Sequence, residues 1–179
     1  MNASNSRQYA RACKLGTVAL AIATLTSQVE AVTSTVNLNV SASVLASCTL
    51  SVANALNFGA YSAAGANGTN PLDATGMVIS NCTPGTAGYL TIGQGTNATG
   101  VSTDAAPVRR MRSGVANYLL YNLFTDGTRT TSWANTTITG VTITGDGLDQ
   151  FTTVYGRMPQ GQSVPVGSYT DTVAVTLTY

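Results

Sequence analysis

The feature that most constrains this chain is the alternation of apolar and polar residues at its C-terminal end, from Val173 to Tyr179. A period of two predicts a β-strand with one buried face. The sequence stops at Tyr179, so we expect no hairpin partner downstream. A second alternating segment lies far upstream, before any turn signal, and we expect it to pair with another chain. Its apolar positions are Val36, Leu38, Val40, Ala42 and Val44.

The N-terminal segment has the layout of an export signal. Residues 1–14 are polar with basic charges, residues 15–25 are apolar and small, and Val29-Glu30-Ala31 offers a cleavage site after Ala31. This pattern predicts a secretory signal peptide at residues 1–31, with cleavage after Ala23 or Ser27 as the weaker alternatives. The alternatives are a membrane anchor or a disordered leader, but the apolar stretch is shorter than the roughly 20 residues that a bilayer span needs.

The charge of the mature chain argues against a nucleic-acid ligand. Of the 8 basic and 7 acidic residues, the predicted leader removes three and one, which leaves five arginines and six aspartates. Binding to DNA or RNA requires a basic patch that neutralises phosphates, and Arg109, Arg110 and Arg112 form the one cluster. Charged residues make up 8% of the chain, so little repulsion keeps neighbouring molecules apart. Such a surface suits a subunit that packs into a polymer.

Two cysteines, Cys48 and Cys82, remain after the predicted cleavage. In an exported protein an even pair predicts a disulfide. A redox or metal site is the weaker alternative, because neither cysteine lies in a CxxC motif and the chain has no histidine.

Turn signals about every ten residues, together with recurrent Thr, Val and Tyr, predict an all-β sandwich or barrel of short antiparallel strands. We expect the apolar run at residues 118–124 to form a central strand and residues 159–165 to form a loop or an edge. Asp126-Gly127 and Asp146-Gly147 are interpreted as turns. The predicted strands are residues 47–52, 56–58, 76–82, 88–93, 109–113, 118–125, 138–143, 150–157 and 169–179.

No catalytic constellation stands out. The usual general base is missing because histidine is absent, and no serine lies in Gly-x-Ser-x-Gly. The aspartates lie mostly in turn contexts, and Asp146-Gly147-Leu148-Asp149 lacks the closing glutamate of an EF-hand calcium loop. We therefore predict no enzyme activity, no metal and no cofactor. Trp133 is interpreted as a packing residue in preference to a sugar-stacking one.

Several segments resemble the spore coat protein U domain family, which includes subunits of archaic (Csu-type) chaperone–usher pili. The most specific is residues 166–179, a Gly-x-Tyr-x-Asp start followed by an alternating strand that ends in an aromatic residue. Residues 154–162 are similar to the segment that precedes it in the family. Residues 118–124 resemble the family's Tyr-x-Leu-Tyr strand, and residues 57–61 (NFGAY) its FGxY stretch.

The resemblance implies an incomplete immunoglobulin-like sandwich that lacks its final strand. A periplasmic chaperone would lend a strand to the open groove, and at an outer-membrane usher the N-terminal arm of the next subunit would replace it. The implied layout is a donor-strand arm at residues 32–45, carrying the apolar positions given above, and a sandwich domain at residues 46–179. The implied acceptor residues of the last strand are Tyr169, Val173, Val175, Leu177 and Tyr179.

The function expected from these features is a structural subunit of a surface pilus that supports adhesion or biofilm formation, with neighbouring subunits, a chaperone and an usher as partners. The alternative is a secreted monomeric β-sandwich binding module, for example for carbohydrate. A secreted hydrolase is the third hypothesis. Detergent-resistant ladders of oligomers would favour the first, and retention of a monomer on a polysaccharide the second.

Overall fold

The computed structural model describes residues 28–179, so most of the predicted signal peptide, residues 1–27, lies outside the described residues. The chain divides into two units, residues 1–41 and residues 42–179, which are described separately. In the first unit, residues 28–41 form no helix or strand. Val36, Leu38 and Val40 are 93%, 86% and 87% exposed, so the apolar positions of this segment are open to solvent.

The second unit is a sandwich of two antiparallel sheets, and the predicted all-β architecture is confirmed. The five-stranded sheet has the order β1-β2-β7-β5-β4, and the three-stranded sheet has the order β6-β3-β8. The strands are β1 Cys48–Asn54, β2 Leu72–Cys82, β3 Ala87–Ile92, β4 Arg109–Ser113, β5 Asn117–Phe124, β6 Val141–Thr144, β7 Gln150–Met158 and β8 Val175–Thr178.

The core forms where the inner faces of the two sheets meet. Along β5, Leu119, Tyr121 and Leu123 are buried while the residues between them point outward, which is the period-two pattern of a half-buried strand. This strand lies in the interior of its sheet, between β4 and β7, as its apolar composition predicted. Trp133 is fully buried in the same cluster and donates its indole N–H to the carbonyl of Leu90 at 3.0 Å, so it is a packing residue.

Turns occur where the sequence predicted them. The carboxylate of Asp126 accepts the backbone N–H groups of Thr130 and Thr131, and Asp146 accepts that of Leu148. Within residues 28–179 the one helical element is a single 3-10 turn at Ala66–Gly68. None of the described residues belongs to a helix long and apolar enough to cross a membrane.

Three predicted strands differ from the structure. Residues 56–58 form no strand: the pairing of β1 with β2 ends at Asn54–Met77 after a register shift, and the side chains of Leu56 and Phe58 pack against the core over Gly156. The strand predicted at residues 138–143 begins at Val141, after a turn in which Thr139 N–H bonds to Thr136. The strand predicted at residues 169–179 is reduced to Val175–Thr178, because the preceding residues cross from one sheet to the other.

The predicted disulfide joins Cys48 and Cys82, which face each other at the ends of β1 and β2. Its sequence separation is 34 residues. A loop of that size stabilises a fold by about 3–4 kcal/mol in the chain-entropy description. We expect mass spectrometry of the exported protein to find both thiols blocked, and reduction to lower the urea midpoint followed by Trp133 fluorescence. Two free thiols in the natively exported chain would contradict this.

Candidate functional site: a groove between the sheets

A groove of about 1250 Å³ opens between the two sheets of residues 42–179. Tyr121 and Val154 of the five-stranded sheet line one side, and Ile92 and Val175 of the three-stranded sheet line the other. Two irregular segments, residues 54–64 and 164–173, complete the walls. Several lining residues on the strands, among them Ile92, Leu119 and Tyr121, belong to the core cluster, so the groove exposes part of the sandwich interior.

Strand β8 forms one border of this groove and has a free edge. Among the described residues it pairs with β3 alone, through Tyr89–Ile92. Two further bonds extend that pairing: Gly93 N–H to the carbonyl of Ala174 at 2.9 Å and Thr96 N–H to that of Thr172 at 3.0 Å. The opposite edge of β8 presents backbone groups to which an additional strand can bond.

The segment before β8 closes the other side of the sandwich by crossing between the sheets. The backbone of Thr170 exchanges two hydrogen bonds with Arg112 of β4, at 2.8 and 3.1 Å. Two residues later the chain bonds to the three-stranded sheet at Thr172. The groove therefore ends, near Thr170, against the edge strand β4.

The Gly-x-Tyr-x-Asp motif builds this crossing. Tyr169 lines the groove and donates its hydroxyl to the carbonyl of Pro165 at 2.8 Å. Asp171 accepts from the hydroxyl of Thr96 at 2.8 Å and from the backbone and side chain of Asn97 at 3.1 and 2.9 Å. Gly95 permits this approach, because its φ is +88° and a Cβ there would collide with the Asp171 carboxylate.

The second carboxylate oxygen of Asp171 accepts the hydroxyl of Tyr121 at 2.6 Å. Burial, and then the hydrogen bond to Asp171, raises the pKa of Tyr121 well above its usual range. The phenol therefore stays neutral and remains a donor at all physiological pH values. This bond ties the C-terminal segment to the inner face of β5.

Arg109 is a buried cation behind the groove, 1% exposed. Its guanidinium donates to the carbonyls of Ile92, Gly93 and Trp133 at 2.9, 2.8 and 2.8 Å, so β4 is bonded to the end of β3. Burial lowers the pKa of Arg109 to about 10, while Tyr121 and Asp171 oppose that shift. The side chain is still charged at neutral pH.

The structure distributes the predicted site residues as follows. Tyr169, Val173 and Val175 line the groove, and Leu177 packs against the core cluster from β8. Tyr179 follows the strand and is 57% exposed. The donor positions Ala42 and Val44 in the second unit are exposed, as are those in the first.

Sequence reasoning missed the polar residues of the site. In the sequence Arg109 stands beside Arg110 and Arg112 as part of a weak basic cluster, whereas in the structure Arg109 and Met111 point inward from β4. Tyr121 was seen only as part of an apolar run. Across residues 28–179, no three His, Cys, Asp or Glu side chains lie close enough together to hold a metal ion.

Comparison with known proteins gives three similarities. The Spore Coat Protein U domain matches residues 34–176. The protein named "Protein U" of Myxococcus xanthus is 40% identical over 159 residues, 86% of this chain and 89% of that protein. A chain in the solved CsuC–CsuE chaperone–tip adhesion subunit pre-assembly complex, from archaic chaperone–usher Csu pili of Acinetobacter baumannii, is 20% identical with a TM-score of 0.46. That alignment covers 76% of this chain and 40% of the other.

Replacing Arg109 with Met should destabilise the sandwich by at least about 3 kcal/mol, because three buried carbonyls lose a charged donor. Arg112→Met is the matched control, since Arg112 is exposed and donates to the nearby carbonyl of Gly114; we expect a change within about 0.5 kcal/mol. Urea unfolding followed by Trp133 fluorescence measures both. Equal midpoints for the two variants would refute the role given to Arg109.

Proposed function

The chain belongs to the Spore Coat Protein U domain family, and from that premise we propose that it is a structural subunit of a surface pilus. In this proposal the subunits are joined by donor-strand exchange, in which the arm of one subunit fills the groove of its neighbour. A periplasmic chaperone occupies the groove first, and an outer-membrane usher is the place of exchange. The proposed layout is a signal peptide at residues 1–31, a donor arm at 32–45 and a sandwich domain at 46–179.

The observation that carries the proposal is the groove with the free edge of β8 beside it. An apolar groove next to an unpaired strand edge can be filled by an alternating strand from another chain, through ladder bonds and side-chain burial. The arm has that pattern, and its valines and leucine are exposed. Burying Val36, Leu38, Val40 and Val44 would contribute roughly 6–12 kcal/mol.

Chain geometry favours insertion into a neighbour. Cys48 pairs with Cys82, and Ser80 pairs with Gln150, so β1 begins level with Leu148. At the end of the groove, Thr170 pairs with Arg112, which in turn pairs with Tyr118 of β5. The level of Tyr118 is reached from Leu148 by counting nine positions along β7 to Arg157, which pairs with Asn122, and then four positions along β5. At about 3.3 Å per position the two ends lie roughly 40 Å apart along the strands.

An arm that ran antiparallel to β8 would place Val44 at the Thr170 end of the groove. The three residues between Val44 and Cys48 span about 10 Å at most, which is far short of that separation within one molecule. The same arm reaches the groove of a second copy placed end to end. A head-to-tail contact of this kind repeats into an open fibre.

The same groove explains the need for a chaperone. An exposed sandwich interior and an unpaired strand edge promote aggregation unless a strand covers them. A strand lent in the periplasm would protect the subunit until its neighbour's arm arrives. The resulting fibre on the cell surface would serve adhesion or biofilm formation.

Leu38→Asp should abolish fibres, because it would bury a charge in the apolar groove of the neighbour. The variant should still fold and bind its chaperone, since the arm lies outside its own core. Asn39→Asp is the matched control: it adds the same charge at the adjacent, outward position and should leave fibre number nearly unchanged. Electron microscopy of surface fibres provides the count. Normal fibres from the Leu38→Asp chain would refute assembly by donor-strand exchange.

Residues 46–179 produced alone should aggregate, because the groove is then without any strand. A copy of residues 34–45 appended at the C-terminus through a flexible linker should restore a stable monomer. Size-exclusion chromatography with thermal unfolding distinguishes the two forms. A stable monomer of residues 46–179 without the added strand would support the alternative of a monomeric binding module.

A further inference from the structure

Two sets of charges lie at opposite ends of the sandwich without oppositely charged partners. Within residues 28–179 the ion pairs are those of Asp73 with Arg129 and Arg157. The remaining exposed or half-exposed arginines, Arg110 and Arg112, lie on β4. We call them the arginine edge. At the other end, Asp146 and Asp149 lie in the exposed turn between β6 and β7, which we call the acidic turn.

The arginine edge adjoins the end of the groove. Arg112 bonds through its backbone to Thr170, which lines that end. Arg110 stacks on the ring of Tyr118 at 3.8 Å and donates to the carbonyls of Asn97 and Ala98 at 3.0 and 3.2 Å. These contacts fix the position of its charge, and within residues 28–179 Arg110 forms no ion pair with a carboxylate.

The acidic turn adjoins the point where the arm enters the domain. Gly147 N–H bonds to the carbonyl of Cys82 at 3.0 Å, next to the start of β1 at the disulfide. Asp149 accepts the side-chain amide of Asn81 at 3.0 Å and Asp146 the backbone of Leu148 at 2.9 Å. Both carboxylates have neutral donors and are exposed. The negative charge therefore lies beside residues 42–47.

The other aspartates of the domain do not share this position. Asp171 is bonded to Tyr121 inside the crossing segment, and Asp126 is bonded within its own turn. Asp104 accepts from Gln94, and its carbonyl bonds to Asn135 beside β3. Gln94 lies two residues before Thr96, so Asp104 is on the groove-end side of the sandwich, and Asp146 and Asp149 are the aspartates at the end where the arm enters.

We propose that the arginine edge of one copy and the acidic turn of the next copy face each other at every junction of the fibre. This inference rests on the proposed function and adds a charged contact to it. If the arm of the donor copy lies antiparallel to β8 of the acceptor copy, Val44 of the donor lies at the end of the acceptor's groove, beside Thr170 and the arginine edge. Three residues further along the donor chain, its sandwich domain begins with the acidic turn nearby, so the donor's acidic turn faces the acceptor's arginine edge.

The same contact selects the direction of the arm. In the parallel direction Val44 would leave the acceptor near Thr178, beside Tyr89 of β3. Close to Tyr89, Ala87 pairs with Thr144, which lies two residues before Asp146 of the acceptor's acidic turn. The acidic turns of the two copies would then face each other. Opposite charges at a junction speed association by factors of 10 to 1,000 at low salt, whereas like charges slow it.

The test uses purified complexes of the full mature chain with its chaperone, and measures the rate at which detergent-resistant oligomers form. The variants are Arg110→Glu with Arg112→Glu, Asp146→Lys with Asp149→Lys, and the combination of all four. Each double variant should assemble about tenfold more slowly at low salt, and the combination should return to within about threefold of wild type. In about 1 M salt, where screening acts over about 3 Å, the differences should disappear.

Thr75→Lys is the control, because Thr75 is exposed and pairs with Tyr155 midway between the two ends, so a charge added there should leave assembly at the wild-type rate. The charge proposal is overturned if both double variants assemble like wild type, or if the combination stays as slow as either double. Either result leaves the proposed function intact, provided that wild-type oligomers form and Leu38→Asp prevents them. Absence of wild-type oligomers, or normal oligomers from Leu38→Asp, refutes the proposed function itself.

Discussion

The crossing of the C-terminal segment between the two sheets is the constraint on which the rest of this structure depends. Thr170 is bonded to β4 of the five-stranded sheet, and from Thr172 onward the chain is bonded to β3 of the three-stranded sheet. Since both sheets hold the same short segment, their separation on this side is set by covalent geometry. The groove between them is therefore a feature of the connection, and Val173 and Val175 line it because they immediately follow the crossing.

Polar bonds hold the crossing in place while apolar surface remains open. Asp171 accepts hydrogen bonds from Tyr121, Thr96 and Asn97. Arg109 of β4 donates to backbone carbonyls at the end of β3. Buried charged hydrogen bonds are directional and costly to break, so they favour one arrangement of the two sheets. Apolar burial is non-directional, and an incoming strand can provide it. We infer that the polar network shapes the groove and leaves its filling to a partner.

The placement of the chain termini within the domain gives the proposed fibre its direction. The arm joins β1 at the end of the sandwich that carries the disulfide and the acidic turn. The groove ends beside Arg112, at the opposite end of the sandwich. A short linker cannot cover that distance inside one molecule, but it suffices between molecules placed end to end. In this arrangement the arm provides the strength of each junction, and the separated charges provide its orientation.

Much of this architecture follows from local signals in the sequence. The apolar run at residues 118–124 predicted β5, recurrent Thr, Val and Tyr between turn signals predicted β7, and Asp-Gly pairs predicted turns, because such signals depend on a few adjacent residues. The family motif singled out Tyr169 as an expected acceptor residue, but it revealed neither the contacts of Tyr169 nor the role of Asp171. Export and an even cysteine count predicted the disulfide.

The tertiary structure alone decided which residues meet across the sandwich. Leu56 and Phe58 have a strand-like pattern but pack into the core after the pairing of β1 with β2 has ended. Residues 169–174 alternate without forming a strand because they pass between sheets. Arg109 belongs to the core only because β4 aims it at three carbonyls from other parts of the chain. The sequence by itself determined most of the strands, the turns and the apolar arm, since these are local patterns. The groove, its buried cation and its open edge depend on contacts between residues far apart in the chain, so they appear only once the sheets are assembled.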